Sequence, residues 1–150
     1  MDVLSIWGEV NYSNHLTFRT SIIGHELNSC VSLIDWFLSQ NGSVKGFSKA
    51  IFSGLPTCYI GNLLVNRFEE IILLKGLYHL SAEPINKYEL IKLVANVYSK
   101  NVDIIESTDL VIDRSLNSSR LRAELSLIPP TWPELINSMY ADYVVKYLNN

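Results

Sequence analysis

Residues 15–23 (HLTFRTSII) form a β-branched and aromatic-rich run, and 44–53 (VKGFSKAIFS) and 76–80 (GLYHL) read as a second extended region and a short strand. Each is followed by a stretch whose apolar residues recur at helical spacing. A chain that alternates in this way folds as layered α/β or α+β structure. In the first helix Asn28 is the expected N-cap, Cys30, Ile34, Phe37 and Leu38 share one stripe, and Asn41-Gly42 ends it. Thr57 is expected to cap the second helix. Its core face reads Ile60, Leu63, Leu64, Phe68, Ile71 and Ile72, opposite Asn62, Asn66, Arg67 and Glu70. Asn86-x-x-Glu89 resembles a capping box and opens a third helix, with Leu90, Ile91, Val94, Val97 and Tyr98 inward. Short strands over 102–106 and 110–112 follow, then a short helix over 117–125. Thr131-Trp132-Pro133-Glu134 starts the last helix with a cap, an early Pro and Glu at N3.

Composition limits what such a layer structure can bind. The 150 residues are 48% hydrophobic and carry a net charge of −3, so no basic field gathers phosphates and nucleic-acid binding is disfavoured. No run reaches the ~18 apolar residues of a membrane span, and no charged-then-apolar leader opens the chain. Cys30 and Cys58 form no CxxC, which argues against a disulfide scaffold or structural zinc. A soluble, cytoplasmic protein is expected. The seven glycines never fall as GxGxxG or GxxxxGK, so the chain has no phosphate-cradling loop.

Several residues could carry chemistry. His15, His25 and His79 are far apart and lack metal-site spacing. His79 reads as a structural histidine in a strand, and His25, in the loop after a strand, is the one placed to line a cleft. Cys30 and Cys58 sit in predicted first turns, where a helix dipole can lower a thiol pKa, but both also fit core positions. Glu69-Glu70 reads as a solvated helix face. Asp113-Arg114-Ser115 can hold a phosphate or a sugar hydroxyl, or form an ordinary surface ion pair. In Gly54-Leu55-Pro56-Thr57, Gly permits unusual backbone angles, Pro stiffens the turn and the helix start can face an anion. The same turn is also good strand-to-helix chemistry without any ligand.

Three stretches resemble a known family: Gly8-Glu9 with Leu16-Thr17-Phe18-Arg19-Thr20-Ser21, then Gly54-Leu55-Pro56-Thr57, then Gly76-Leu77-Tyr78-His79-Leu80-Ser81 with Lys87-Tyr88-Glu89-Leu90. With Asp113-Arg114-Ser115-Leu116 and Pro130-Thr131-Trp132, they resemble the C-terminal half of dTDP-4-dehydrorhamnose reductase-type sugar-nucleotide reductases, members of the extended short-chain dehydrogenase/reductases. The resemblance covers nearly the whole chain in the family's order. It implies an N-terminal Rossmann region that binds NAD(P)H and a smaller C-terminal region that closes over a nucleotide sugar. The family's Tyr-x-x-x-Lys-x-x-Gly-Glu, placed on Gly8-Glu9, puts Met1 on the proton-donating tyrosine and Ser5 on the lysine. A thioether has no transferable proton, and a serine has no charge to stabilise a phenolate. The family's glycine fingerprint would precede Met1.

By the same resemblance, Thr20, Ser21 and Ile22 end the strand beneath the nicotinamide, Ile22 standing where many rhamnose-type reductases carry tryptophan. Gly54, Pro56 and Thr57 match the Gly-x-Pro-Thr turn beside the substrate pocket, and Arg114 matches an arginine near the nucleotide-sugar site. The expected fold is α/β, the C-terminal part of an extended Rossmann-type reductase: the last strands of a parallel sheet plus a small substrate-binding α/β region. Residues 1–27 would end the Rossmann core, as helix remnant and strand, and residues 28–150 would form the substrate-binding region and C-terminal helices. The expected ligand is a nucleotide sugar, dTDP-linked or similar, in cell-surface polysaccharide synthesis, with no metal, nucleic acid or membrane partner. NAD(P)H belongs to the family but is not expected to bind tightly to this chain alone, which should lack reductase activity. A second copy or a partner protein would cover the side where the Rossmann half packs. The alternatives are a non-catalytic binding or regulatory protein of the same superfamily, with an exposed apolar patch, and a truncated product without function.

Overall fold

The computed structural model describes residues 14–26 and 31–148. Its elements run β1 (Leu16–Arg19), β2 (Ile22–Ile23), α1 (Leu33–Ser39), β3 (Ser43–Phe47), β4 (Ala50–Phe52), β5 (Leu55–Pro56), α2 (Thr57–Asn66), α3 (Phe68–Ile71), β6 (Gly76–His79), β7 (Ile85–Asn86), α4 (Lys87–Val97), β8 (Asp103–Ser107), β9 (Ile112–Asp113), α5 (Ser119–Leu125) and α6 (Trp132–Tyr143). A π-helical turn over Val144–Leu148 continues α6. The class is the expected mixed α/β one.

Most strand pairs are parallel and join segments distant in sequence. β1 pairs with β6, with Phe18 opposite Tyr78, and β2 pairs with β5, with Ile22 opposite Leu55. β3 pairs with β8 in parallel, and β4 lies between antiparallel β7 and parallel β9. The run over 15–23, read as one strand, is therefore two: it breaks at Thr20-Ser21 and each piece takes a different partner. The run over 44–53 divides in the same way at a turn over Ser48 and Lys49, and its halves enter different sheets.

Helices pack against these strands, α4 on β3, α2 and α6 on β5, and α5 on β6. Ile34 and Phe37 of α1, Leu90 and Val94 of α4, Leu121 of α5, and Leu135 and Ile136 of α6 are buried in one core, with α4 packed on both α6 and β3. Each aliphatic or aromatic side chain so buried contributes roughly 1.5–3 kcal/mol relative to exposure. The Asn86 cap is as expected, its side chain accepting from Glu89 N at 2.8 Å. At the last helix, the Glu134 carboxylate accepts from both Thr131 N and Thr131 Oγ1 at 2.7 Å. This holds the Glu134 carboxyl below its ordinary range.

Three expectations need correction. The first helix is capped by Ser32, whose Oγ accepts from Asp35 N at 3.3 Å; the expected cap Asn28 and the stripe residue Cys30 lie outside the described residues. Thr57 is already helical and makes no side-chain cap bond; Pro56 holds the cap position, while Thr57 Oγ1 lies against Gly24. The stripe through residue 72 is interrupted because Arg67 leaves helical geometry at φ −119°, ending α2 and restarting the chain as the single turn α3. Leu63 before the break and Ile71 after it are buried, but Leu64 before it and Phe68 and Ile72 after it are exposed, at 38%, 60% and 57%.

Candidate ligand-binding cleft

The break at Thr20-Ser21 that splits the first strand also opens a cleft. Its volume is about 300 Å³. Ser21 and Ile22 form one wall, Phe52 and Leu110 contribute apolar surface, and Lys87 and Arg114 supply the charge. The sheet order β7-β4-β9 explains the placement: Lys87 follows β7 and Arg114 follows β9, on the two flanks of β4. Arg114 N donates to the Ile51 carbonyl at 3.1 Å, which ties the arginine's backbone to β4.

Gly54 holds the wall together from behind. A Cβ there would stand 2.6 Å from the Ser21 carbonyl oxygen and 2.2 Å from the tip of the Phe52 ring. No larger residue fits while Leu55 N donates to the same Ser21 carbonyl at 2.9 Å. The glycine is needed for a close approach of two chain segments; its backbone angles are ordinary.

Sequence reasoning missed the buried serines that fix the Arg114 side. Ser53 Oγ, fully buried, accepts from Leu116 N at 2.8 Å. Ser81 Oγ donates to the Leu116 carbonyl at 2.9 Å, and Ser118 Oγ donates to the Ser81 carbonyl at 3.2 Å. The segment after β9 is thereby pinned to the ends of β4 and β6. A serine closing an apolar strand was the only local sign, because each partner lies more than thirty residues away. Asp113, beside Arg114, accepts from Ser115 N at 2.8 Å. Hydrogen bonding from Ser115, side chain and backbone, holds the Asp113 carboxyl below its ordinary range.

The residues named from sequence separate into two groups. Ser21, Ile22 and Arg114 line the cleft together. Thr20 is exposed and Thr57 turns toward Gly24, while Gly54 and Pro56 are buried behind the wall. His25 lines no part of the cleft. Its Nδ1 lies 2.6 Å from Asp35, its Nε2 lies 2.8 Å from the Tyr98 hydroxyl, and its ring stacks on Tyr143 at 4.2 Å. That is the pattern of an internally satisfied histidine. Burial pushes the Tyr98 phenol well above its ordinary value. Cys58 packs partly against the core.

Tyr88 and Lys92 repeat a tyrosine–lysine spacing on α4. There the ammonium pairs with Glu89 at 3.3 Å and lies 4.7 Å above the Tyr88 ring centroid, a surface contact outside the cleft. Among the described residues no group of three His, Cys, Asp or Glu could hold a metal ion, and no helix is long and apolar enough to cross a membrane. A dinucleotide's pyrophosphate needs a glycine-rich strand-to-helix turn. The described turns into α2 and α4 are Leu55-Pro56 and Ile85-Asn86, so these residues do not fit that cofactor's diphosphate.

No protein-family model and no curated protein matches the sequence. Solved structures do. The chain is similar to dTDP-4-dehydrorhamnose reductase from Bacillus anthracis in complex with NADP, at TM-score 0.69 and 16% identity over 87% of this chain and 49% of that one. It is similar to the Bordetella bronchiseptica enzyme WbmG in complex with NAD and UDP, at TM-score 0.62 and 15% identity over 87% and 43%. A third is UDP-N-acetylglucosamine 4-epimerase from Methanobrevibacter ruminantium in complex with UDP-N-acetylmuramic acid, at TM-score 0.61 and 13% identity over 87% and 46%. The chain spans about half the length of these structures. At these identities the shared property is the fold, a Rossmann-type α/β arrangement with parallel strand pairs.

Proposed function

We propose that this chain is the substrate-binding half of a sugar-nucleotide reductase of the dTDP-4-dehydrorhamnose reductase type, and that it holds a nucleotide sugar in the cleft without transferring hydride by itself. The observation that carries the reading is the meeting of Ser21-Ile22 with Arg114 in one cleft, since the two come from separate stretches of the family resemblance. On this reading residues 1–27 end the Rossmann core and residues 28–150 form the substrate region. Ser21 and Ile22 lie where the nicotinamide would approach, Thr20 belonging to the same strand end. Gly54, Pro56 and Thr57 support the substrate side, and Arg114 meets phosphate with a planar fork of donors.

The full reaction reduces a 4-keto nucleotide sugar, and the nicotinamide cofactor supplies the hydride when bound. Met1 and Ser5, in the positions of the family's tyrosine and lysine, supply neither a phenolic proton nor a stabilising charge. Purified chain should therefore consume no NADPH with a dTDP-4-keto sugar, and turnover would contradict the inactive half of this reading. Calorimetry with dTDP tests the binding half: Arg114→Gln should weaken affinity about tenfold or more, as expected for losing a charge-assisted hydrogen bond. Affinity unchanged by that substitution would move the ligand elsewhere.

A second reading, a non-catalytic binding or regulatory protein of the same superfamily, is favoured by the apolar surface at the α2–α3 junction. Val65, Phe68, Ile72 and Leu73 are 77%, 60%, 57% and 76% exposed there. Gel filtration with a partner pull-down tests it: a stable complex lost on Phe68→Ser supports the reading, and a monomer that retains nothing contradicts it.

A further inference from the structure

We infer that Lys87 is a second anion-holding residue of the cleft and that, with Arg114, it selects ligands carrying two phosphates over ligands carrying one. The inference rests on the proposed reading of the cleft as the ligand site. No stretch of the sequence marks Lys87 as a binding residue. The topology does, because the β7-β4-β9 sheet brings the first residue of α4 and the residue after β9 to the two flanks of one strand.

The charge arrangement calls for an anion. Among the described residues, Lys87 and Arg114 are the only ionisable ones lining the cleft, although the chain as a whole carries a net charge of −3. Among the described residues neither side chain has a hydrogen bond or an ion pair. The carboxylates of Asp113, Asp109, Glu89 and Asp35 do not line the cleft. Asp113 accepts from Ser115 N at 2.8 Å, Asp109 pairs with Lys45 at 2.8 Å, Glu89 pairs with Lys92 at 3.3 Å, and Asp35 lies 2.6 Å from His25. Two positive charges line one cleft together with the apolar surface of Ile22, Phe52 and Leu110, which makes it complementary to an anion.

The two cations divide the work by their chemistry. Arg114 offers a bidentate fork to one phosphate, and Lys87 offers a compact point charge to the next. The apolar walls take the uncharged body of the ligand. A monophosphate satisfies Arg114 and leaves Lys87 unmatched, whereas a diphosphate satisfies both. Free pyrophosphate and a nucleoside diphosphate share this chemistry, and the apolar walls add affinity only for the second.

Calorimetry at low salt on the full chain decides the matter, with dTDP, dTMP and inorganic pyrophosphate as probes. Wild type should prefer dTDP over dTMP about tenfold, the effect of one further charge-assisted contact. Lys87→Gln should erase most of that preference while leaving dTMP affinity within about twofold, and Lys87→Arg should restore it. Lys92→Gln, five residues further along α4 and outside the cleft, should change nothing. If dTDP binds and Arg114→Gln weakens it while Lys87→Gln does not, the assignment of Lys87 falls and the cleft reading stands. An equal loss with Lys92→Gln would also overturn it, since general charge then explains the effect. If neither dTDP nor pyrophosphate binds wild type, both the assignment and the cleft reading fall. Pyrophosphate bound as tightly as dTDP supports the two-cation clamp and removes the apolar walls from its affinity.

Discussion

At Gly54 a Cβ would stand 2.6 Å from the Ser21 carbonyl oxygen and 2.8 Å from its carbon, and backbone cannot move aside as a flexible side chain can. Gly54→Ala should therefore destabilise the fold by about 1–3 kcal/mol, the usual range for overpacking, measured as a lower urea midpoint with unchanged slope. Stability equal to wild type would show that β2 and β5 are not held at this distance. Tyr98 gives a second prediction at this scale. Burial, with the nearby Cys58, Asp35 and neighbouring tyrosines, raises its phenol above the ordinary 10.0. The folded state then keeps this proton after the unfolded chain has lost it. The contribution to stability is complete below pH 10 and is lost as pH rises beyond it. Absorbance at the phenolate band should show tyrosines that titrate late, Tyr98 among them, and Tyr98→Phe should lower that late amplitude by one residue.

The helices and strands differ in how far local sequence could describe them. The Asn86 cap was legible because donor and acceptor are three residues apart, and Asn86→Ala should cost about 1 kcal/mol in thermal melts. The Thr131–Glu134 start was legible for the same reason. The end of α2 was not. Arg67 stands at a break in what reads as one continuous stripe, and its guanidinium reaches the Leu125 carbonyl on α5, a tertiary contact that no helical period records. The division of residues 15–23 was hidden likewise. Leu16 and Ile22 both suit a strand, but Gly76 of β6 lies opposite the first and Leu55 of β5 opposite the second. Pattern identifies strand-forming residues; it does not say with which distant segment each will pair.

Across the whole molecule, the parallel pairs and the family resemblance agree on the fold, and the cleft brings together Ser21 and Arg114 from two separate stretches of that resemblance. Ser21, Ile22 and Arg114 could be named from sequence, whereas their nearness depends on Gly54 and on the serines 53, 81 and 118, whose hydrogen bonds span the chain. Lys87 had no signature of its own and emerges only from the order of three short strands. Amide chemical shifts followed by NMR during a dTDP titration report directly on binding in this cleft. Saturable shifts centred on Ser21, Ile22, Phe52, Lys87 and Arg114, and absent from Arg114→Gln, are the expected result. Shifts centred on the serine-rich segment over 115–119, or none at millimolar dTDP, would contradict it.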